Sequence, residues 1–486
     1  MRKLIPPLVL FACLLLGAGV AHAEKKRTSK VPAPALDRPT DPVVMTGAEL
    51  PRLLGSAPAN LAAYRYKPAK GRHAKRGRWV AVPVQVDERA VVDFGTPSGG
   101  PGVQGTVYGT APIGATALQY TDPNTFVGPD PDPTLDGNDQ VVFMAADAGK
   151  RAPAKSKRPR GTLRAGATRV LLQDPRSSAK AWIYLFQKNG PATQPADYVR
   201  YDFRLLSGDY RATYHRSAGP NPEASTISTR DYTAGFSDRW FFDQLGISTG
   251  GASGADILDG YKFAFALGNC GRSEATFNAG EGAFVVNKDG PVRAIRSYVG
   301  ANSGPDTERT DFFYADRHDI VTDLRVHPIP SLFTQYDLSP AAIGMTYYDE
   351  QHQGGVPVDG NPDMLPGSTP SFWHLWKGPQ GTLFVDDQVQ SSFAASFLGS
   401  ATAFYMDDST PSAMQCWGDS QQIGSAGISS APPGGIPVTA PGSPDYLRAI
   451  STDLMLPPNQ APSAAASLSA DVVHDVQASP GAYRAR

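Results

Sequence analysis

The sequence predicts an all-β protein built from two antiparallel β-sandwich domains, the C-terminal one a long hairpin meander. Glycine and proline are abundant, with 49 and 44 copies among 486 residues, and they separate short apolar runs. Within many of these runs apolar and polar residues alternate, which is typical of strands with one buried face. Long stretches of helical spacing are nearly absent, and this disfavours an architecture in which helices alternate with strands.

The chain begins with a segment typical of an export signal. Arg2 and Lys3 form a short basic stretch, an apolar stretch over 8–21 follows, and Ala21-His22-Ala23 has the small-x-small form of a cleavage site. We therefore expect residues 1–23 to be removed and the protein to be secreted or periplasmic. The apolar stretch is too short to span a membrane, and no later run predicts a transmembrane anchor.

Composition divides the remainder of the chain. A Lys-, Pro- and Thr-rich stretch predicts a flexible leader, and an Ala-, Ser- and Pro-rich stretch predicts a disordered tail. The basic run from Lys150 to Arg160 indicates a linker between two β domains, although such a run could also contact a polyanion. The predicted segments are the leader at 24–45, the N-terminal β domain at 46–149, the basic linker at 150–165, the C-terminal β-sandwich domain at 166–456 and the tail at 457–486.

Charge and cysteine content limit the partners and the redox state. The formal net charge of −1 changes little when the two basic residues of the signal are lost, so we expect no nucleic-acid partner. Cys270 and Cys416 are the cysteines that remain after cleavage. In an oxidising compartment such an isolated pair predicts one disulfide. The alternative is two separate buried thiols.

An acidic loop precedes an apolar strand near residue 140. Its clustered carboxylates suit a hard cation, and Ca²⁺ is the one cofactor that the sequence predicts. The spacing is not that of an EF-hand, because Gly137 is misplaced and Val141 stands where a bidentate Glu is needed. The alternative is an acidic β-turn. The candidate metal ligands are Asp130, Asp132, Asp136 and Asp139.

The strongest strand pattern lies between Gly282 and Pro328. It predicts two hairpins, with turns at Asn287-Lys288-Asp289-Gly290 and at Ala315-Asp316-Arg317-His318. The last strand, over 320–327, alternates with period two. Its core face would carry Ile320, Thr322, Leu324 and Val326, and its polar face Val321, Asp323, Arg325 and His327.

The polar face of that last strand has two interpretations. Antiparallel sheets commonly have one solvated face, on which Arg325 would pair with Asp323 or Asp319. Alternatively, the face is the floor of a groove for an anionic or polyhydroxylated ligand, and Asp323 is then a ligand contact. Arg293 and Arg296 are further candidates, but they lie on opposite faces of their strand, so at most one of them belongs to the site.

An aromatic strand is predicted from Phe372 to Lys377. Aromatic rings on an exposed sheet can stack on sugar rings, whereas in most proteins such rings pack in the core. The candidate substrate contacts on this strand are Trp373, His374 and Trp376.

Absent motifs exclude several classes of enzyme. The chain has no Gly-x-Ser-x-Gly, no His-Glu-x-x-His, no P-loop and no dinucleotide-binding fingerprint. The alternating hairpins and the long meander resemble the β-sandwich domains of exported carbohydrate-active proteins. That resemblance implies an extracellular glycan as partner. An enzyme of this kind would be a polysaccharide lyase or a glycoside hydrolase.

The predicted chemistry is β-elimination from a uronate-containing polysaccharide. This reaction needs a cation beside the carboxylate, a base for the adjacent proton and an acid for the leaving oxygen. Arg325 would supply the positive charge, His327 the base and Tyr314 the acid. The alternative function is a non-catalytic glycan-binding or cell-surface structural module.

Overall fold

The computed structural model describes residues 36–69, 77–93, 116–125, 127–154, 156–207, 222–239, 241–264, 282–300, 307–324, 331–368, 373–392, 401–411, 421–431 and 447–484. Nearly all of their regular structure is antiparallel β, which confirms the predicted fold class. Within these residues one α-helix, α1 (Ala465–Val473), and several single 3₁₀ turns accompany the strands.

The first sandwich packs a three-stranded sheet on a five-stranded sheet. The three-stranded sheet has the order β1 (Pro42–Thr46), β7 (Gln140–Met144) and β4 (Gln85–Asp87). The five-stranded sheet has the order β28 (Gln477–Ala482), β8 (Thr168–Gln173), β9 (Lys180–Gln187), β2 (Leu61–Lys67) and β3 (Arg78–Val82).

Alternating apolar residues form the core of the first sandwich. Val141 and Phe143 of β7 meet Ile183 and Leu185 of β9, and all four are fully buried. Burying a side chain of this size stabilises the fold by about 1.5–3 kcal/mol relative to leaving it in water. A separate hairpin of β5 (Arg89–Asp93) and β6 (Thr116–Tyr120) extends from this sandwich toward the second.

The second sandwich is built on a nine-stranded sheet. The order of that sheet is β15 (Gly282–Lys288), β16 (Ala294–Gly300), β17 (Thr307–Phe313), β18 (Arg317–Leu324), β27 (Leu447–Leu456), β24 (Gly381–Ser391), β23 (Trp373–Gly378), β20 (Thr346–Tyr348) and β21 (Val356–Pro357). We call the face of this sheet that carries Ile320 its inner face and the face that carries Val321 its outer face.

Two further sheets cover the inner face. One has the order β14 (Leu258–Ala264), β19 (Leu332–Leu338), β26 (Gln422–Ser430), β25 (Ala401–Asp408) and β22 (Asp363–Ser368). The other runs through β10 (Val199–Asp202), β11 (Pro222–Thr229), β12 (Tyr232–Asp238) and β13 (Phe241–Ile247). One hydrophobic core joins all three sheets, with Ile227, Tyr336 and Ile320 as fully buried members from each.

Both hairpins predicted between 282 and 328 are present. β15 pairs with β16 in antiparallel register with one irregularity between Phe284 and Val286, and β17 pairs with β18 in continuous antiparallel register. The predicted alternation also holds within the described part of β18, because Ile320 and Thr322 face the inner core whereas Val321 lies at a cleft on the outer face.

The segment boundaries predicted from composition differ from the structure. The predicted linker at 150–165 is packed, since Lys150 donates its N–H to the carbonyl of Tyr66 at 3.2 Å and Leu163 donates to that of Gln187 at 2.8 Å. Strands β8 and β9 then belong to the first sandwich, because β9 pairs with β2. Composition does not reveal this long-range pairing, so the predicted start of the second domain at 166 is too early.

The two predicted flexible ends are also ordered where the structure describes them. In the tail, α1 packs on the nine-stranded sheet and β28 pairs with β8, so the prediction of disorder over 457–486 is wrong for residues 457–484. In the leader, Arg38 is buried and forms ion pairs with Asp41 at 2.6 Å and Asp174 at 3.1 Å. Both segments have a low apolar content, which predicted disorder. Strand pairing and buried ion pairs nevertheless keep them ordered, and composition does not reveal such contacts.

Several predictions fall on residues outside the described ranges. These include the signal segment 1–23, both cysteines of the predicted disulfide, Cys270 and Cys416, and the candidate catalytic residues Arg325 and His327. They remain predictions. In the part of the chain that is described, no helix is long and apolar enough to cross a membrane.

Candidate functional site

A cleft of about 570 Å³ lies between the first sandwich and the outer face of the nine-stranded sheet. Its floor comes from β18, β27 and β24, and its walls come from β1, β7, β6 and the segment after α1. Clefts between domains with volumes of about 300–1,000 Å³ are the usual places for small-molecule and saccharide ligands.

Strand register makes the cleft floor polar. Asp319 of β18 lies opposite Thr452 of β27, and Thr452 lies opposite Asp386 of β24. Because side chains alternate along a strand, residues two apart on β24 share this face, and Gln388 and Gln390 line the cleft. The floor therefore offers the carboxylate of Asp319 and the hydroxyl of Thr452 in one row. In the next row the Gln388 amide lies beside the apolar side chains of Val321 and Ile450.

Arg293 is the best-anchored cation at the cleft. Its Nε lies 2.9 Å from Asp87 Oδ2, and its terminal nitrogens donate to Tyr314 Oη at 3.1 Å and to Gln140 Oε1 at 2.7 Å. The second tyrosine, Tyr120, lies 3.3 Å from the same guanidinium. Burial opposes the charge of Arg293, but Tyr120, Tyr314 and Asp87 hold its pKa well above the usual value.

Tyr314 has one hydroxyl lone pair engaged by Arg293, and its ring is buried. Burial raises the pKa of Tyr314 to about 12, although the nearby Arg293 charge acts in the opposite direction. The hydroxyl is therefore protonated at neutral pH, and it borders the cleft as a hydrogen-bond donor.

A second ion pair lies on the floor. The Nε of Arg317 donates to Asp319 Oδ1 at 2.7 Å, and Thr452 donates its hydroxyl to the same oxygen at 2.9 Å. Burial would lower the pKa of Arg317, yet Asp319 and its hydrogen bond raise it above the usual value. Both arginines among the described lining residues thus have carboxylate partners, so the cleft presents paired charges and fixed hydrogen-bonding groups.

A row of buried polar side chains crosses the inner face of the same sheet. His318 of β18 lies 2.9 Å from Asp311 of β17 and 3.3 Å from Asp453 of β27. Tyr336, from the covering sheet, donates its hydroxyl to Asp453. The ring of His318 stacks on Phe313 with centroids 4.1 Å apart.

The row continues toward the opposite edge of the sheet. Ser451 donates to Asp387, and His374 Nε2 lies 3.7 Å from Asp387 Oδ2. The other nitrogen of His374 lies 2.8 Å from Tyr347 Oη, which donates to Asp349 at 3.2 Å. We call this set the inner polar row.

Opposite pKa shifts occur along the inner polar row. Burial would lower the pKa of His318, but the carboxylates of Asp311 and Asp453 raise it to about 9. Burial raises the pKa of Asp387 to about 8 and lowers that of His374 to about 4. At neutral pH His318 is consequently charged and His374 is neutral.

The structure brings only some of the predicted site residues together. Arg293 and Tyr314 both border the cleft. Arg296 faces the inner side, where it forms a buried ion pair with Glu223. Asp323 lies 2.9 Å from Arg448 Nε, as the solvated-face interpretation predicts for a paired charge.

The aromatic strand packs into two cores. Trp373 lies under α1 on the outer face, in a cluster with Leu375. Trp376 is fully buried on the inner face and donates its indole N–H to the carbonyl of Gly424 at 2.8 Å. His374 is also fully buried. The expectation that these three side chains stack on sugar is therefore wrong in this structure, because both faces of β23 are covered.

The acidic loop folds as a series of turns capped by its own carboxylates. Asp130 accepts from the N–H of Asp132 at 2.8 Å. Asp136 accepts from the N–H of Asn138 at 2.8 Å, and Asp139 accepts from those of Arg89 and Asp136 at 2.9 Å. Among the described residues no group of three or more His, Cys, Asp or Glu side chains is placed to hold a metal ion. Calcium binding by this loop stays a prediction without support from its contacts.

Sequence analysis missed most of the cleft residues. The period-two pattern that places Val321 on the outer face also places Arg317 and Asp319 there. The predicted strand began at residue 320, whereas β18 begins at Arg317, so these two residues were not included. Gln388 and Thr452 carry no local signal, since their roles depend on the pairing of β24 with β27 and of β27 with β18.

Comparisons with known proteins give a limited result. No protein-family model matches the chain, and no curated protein does. Among solved structures, the chain is similar to a protein from Escherichia coli K12 described as a "Putative aldose 1-epimerase", with 13% sequence identity and a TM-score of 0.30. The match covers 52% of this chain and 99% of that chain. At these values the likeness supports no functional conclusion.

Proposed function

We propose that this chain binds an extracellular glycan in the cleft between its two sandwiches. The observation that carries the proposal is the cleft floor, where the carboxylate of Asp319, the hydroxyl of Thr452 and the amide of Gln388 lie in two neighbouring rows across β18, β27 and β24. A sugar ring presents several hydroxyl groups, each a donor and an acceptor. The polar side chains of the cleft floor can form hydrogen bonds with these hydroxyl groups. At one wall the Tyr314 hydroxyl, which accepts from Arg293, adds a donor, whereas the Tyr120 hydroxyl, which donates to Gln140 Oε1 at 2.8 Å, adds an acceptor.

Two properties of the cleft favour recognition of the hydroxyl groups of a saccharide. Its cations already have carboxylate partners, Arg293 with Asp87 and Arg317 with Asp319. Its neutral polar groups, the amides of Gln388 and Gln390 and the hydroxyl of Tyr314, give orientation and specificity at modest desolvation cost, and the carboxylates of Glu49 and Asp475 can accept from sugar hydroxyls.

The test is calorimetry with a panel of neutral and uronate-containing oligosaccharides. The double variant Gln388→Ala/Gln390→Ala removes two cleft amides and should weaken binding by about tenfold, as expected for losing one or two hydrogen bonds. Gln244→Ala, an exposed glutamine on β13, is the matched control and should bind like wild type. Equal affinity of all three proteins, or no binding by wild type, would contradict the proposal.

The finer proposal is that the glycan contains uronate and is cleaved by β-elimination. Tyr314 supports it, because Arg293 occupies a lone pair of its hydroxyl and leaves the proton to be donated to a leaving oxygen. The base and the second cation would be His327 and Arg325.

The experiment measures unsaturated products by their ultraviolet absorbance. Tyr314→Phe and His327→Ala should each abolish these products, while glycan binding persists. Binding by wild type without any product would favour the non-catalytic module.

A further inference from the structure

A second pocket, of about 480 Å³, lies on the first sandwich away from the cleft. Three arginines from separate parts of the chain line it: Arg151 follows the 3₁₀ turn after β7, Arg169 lies on β8, and Arg484 follows β28. None of the described residues that line it is acidic. The strand pairing of β28 with β8 places Gly481 opposite Arg169, and Arg484 follows three residues later at the same pocket.

The three guanidinium groups lack the partners that arginines at the cleft have. Within the described ranges none of them forms an ion pair with a carboxylate, whereas Arg293 and Arg317 each do. The Nε of Arg169 is buried and has no hydrogen-bond acceptor. A buried donor without an acceptor is unfavourable, and converging like charges repel one another, so an anionic ligand would relieve both costs.

Two tyrosines form the rigid wall of this pocket. The rings of Tyr184 and Tyr483 meet edge to face with centroids 5.0 Å apart, and both are buried. Tyr184 accepts the N–H of Ala152 at 2.7 Å, which fixes the loop that carries Arg151. Burial raises the pKa of Tyr184, while the charges of Arg169 and Arg151 act to lower it, as expected for two guanidinium groups close to its hydroxyl.

We propose that the pocket lined by Arg151, Arg169 and Arg484 is an anion-binding site for a sulfate or phosphate group, either free or as an ester on a larger molecule. Guanidinium groups bind tetrahedral oxyanions through paired N–H donors, and three of them can surround one such group. The proposal is independent of the glycan cleft, because no residue in the described ranges lines both pockets.

The experiment measures binding of four probes to the full chain by calorimetry at low ionic strength. The probes are inorganic sulfate, inorganic phosphate, sulfated dextran and unmodified dextran. Wild type should bind at least one of the three anionic probes and not bind unmodified dextran through this site. Binding of free sulfate or phosphate identifies a small-ion site, and binding of sulfated dextran only identifies an ester on a chain.

Variants distinguish a built pocket from general electrostatic attraction. Arg169→Ala and Arg484→Ala should each weaken anion binding by about tenfold or more, because each removes charged hydrogen bonds. Arg169→Lys keeps the charge but loses the paired donors, so it should also weaken binding. Arg200→Ala, an exposed arginine on β10, removes the same charge elsewhere and should bind like wild type.

Two results would overturn the proposal. One is the absence of binding of every anionic probe by wild type. The other is an equal loss in Arg200→Ala and in the pocket variants, which would show that only net charge matters. Melting temperatures of all variants verify that they fold. Arg484→Ala gives the cleanest comparison, because its side chain is exposed and its removal leaves the core unchanged.

Discussion

At the scale of single residues, the inner polar row makes stability depend on pH. The folded chain binds protons at His318 and Asp387 that the unfolded chain releases, because their pKa values rise from 6.5 to about 9 and from 3.8 to about 8. A group whose pKa is raised by folding contributes stability that is complete below its unfolded pKa and is lost as the pH rises through its folded pKa.

We therefore predict that the free energy of unfolding falls between pH 6.5 and 9, most steeply up to about pH 8, where both groups act in the same direction. Each group contributes a slope of up to about 1.4 kcal/mol per pH unit within its own range. Urea unfolding at several pH values measures this. Asp387→Asn, which stays neutral, should flatten the dependence between about pH 4 and 8. The exposed Asp197→Asn should leave the profile unchanged, and a flat wild-type profile would contradict the assignment.

A second residue-scale prediction concerns the close contact of two strands. A Cβ at Gly427 of β26 would lie 1.9 Å from the carbonyl oxygen of Thr334 on β19, so Gly427→Ala must push backbone apart. We expect a loss of at least about 2 kcal/mol in the free energy of unfolding, measured in denaturant. At Gly354 a Cβ meets nothing within 4 Å, and Gly354→Ala is the control. Similar stabilities of the two variants would show that these strands separate easily.

At the scale of elements, the sequence was informative where partners are neighbours in the chain. The hairpins β15–β16 and β17–β18 were predicted because alternation and turn residues are local signals. The partners of β27 and β28 lie far away in the chain, so no local pattern could place them. The same limit applies to the residues of the cleft. Tyr314 and Arg293 could be predicted because they lie on the predicted hairpins. Thr452 could not, because its place in the cleft is set by the pairing of β27 with distant strands.

The element-scale prediction is that β28 is necessary for the first sandwich. It covers the edge of β8, and the Tyr483 ring that follows packs on Trp79, Tyr184 and Phe186. A chain that ends at residue 476 should lose about 3 kcal/mol or more, as for removing a large buried aromatic side chain. A chain that ends at Arg484 is the control. Equal melting temperatures would show that the edge strand is dispensable.

At the scale of the whole molecule, Gln85 and Asp87 of β4 join the two sandwiches. Gln85 Oε1 accepts the N–H groups of Val292 and Arg293 at 3.0 Å, and Asp87 pairs with Lys288 at 3.0 Å and with Arg293 at 2.8 Å. Burial would raise the pKa of Asp87, but these two cations lower it. Its contribution to stability is therefore present above the unfolded pKa and is lost as the pH falls.

The whole-molecule prediction is that Asp87→Ala uncouples the sandwiches. Arg293 would keep its charge in a buried place without a carboxylate, which costs about 3–5 kcal/mol. Scanning calorimetry should then show two unfolding transitions for Asp87→Ala and one for wild type. Glycan affinity in the cleft should also fall, because Arg293 would no longer hold the Tyr314 and Tyr120 hydroxyls in place. Asp408→Ala, which removes a carboxylate on β25 that is not fully buried, is the control. A single transition in Asp87→Ala at the wild-type temperature would contradict this coupling.

The placement of β27 and β28 has a consequence for how the chain reaches this structure. Synthesis delivers residues in order, yet the edge of β8 near residue 170 is closed only by residues near 480. The centre of the nine-stranded sheet likewise cannot form without residues 447–456, because this strand, β27, lies between β18 and β24 and pairs with both. Neither sandwich can be completed before β27 and β28 have been synthesised. Such distant pairings make folding slow and leave unpaired strand edges exposed in the meantime. A chaperone that shields strand edges until these two strands are available would therefore raise the yield of native protein.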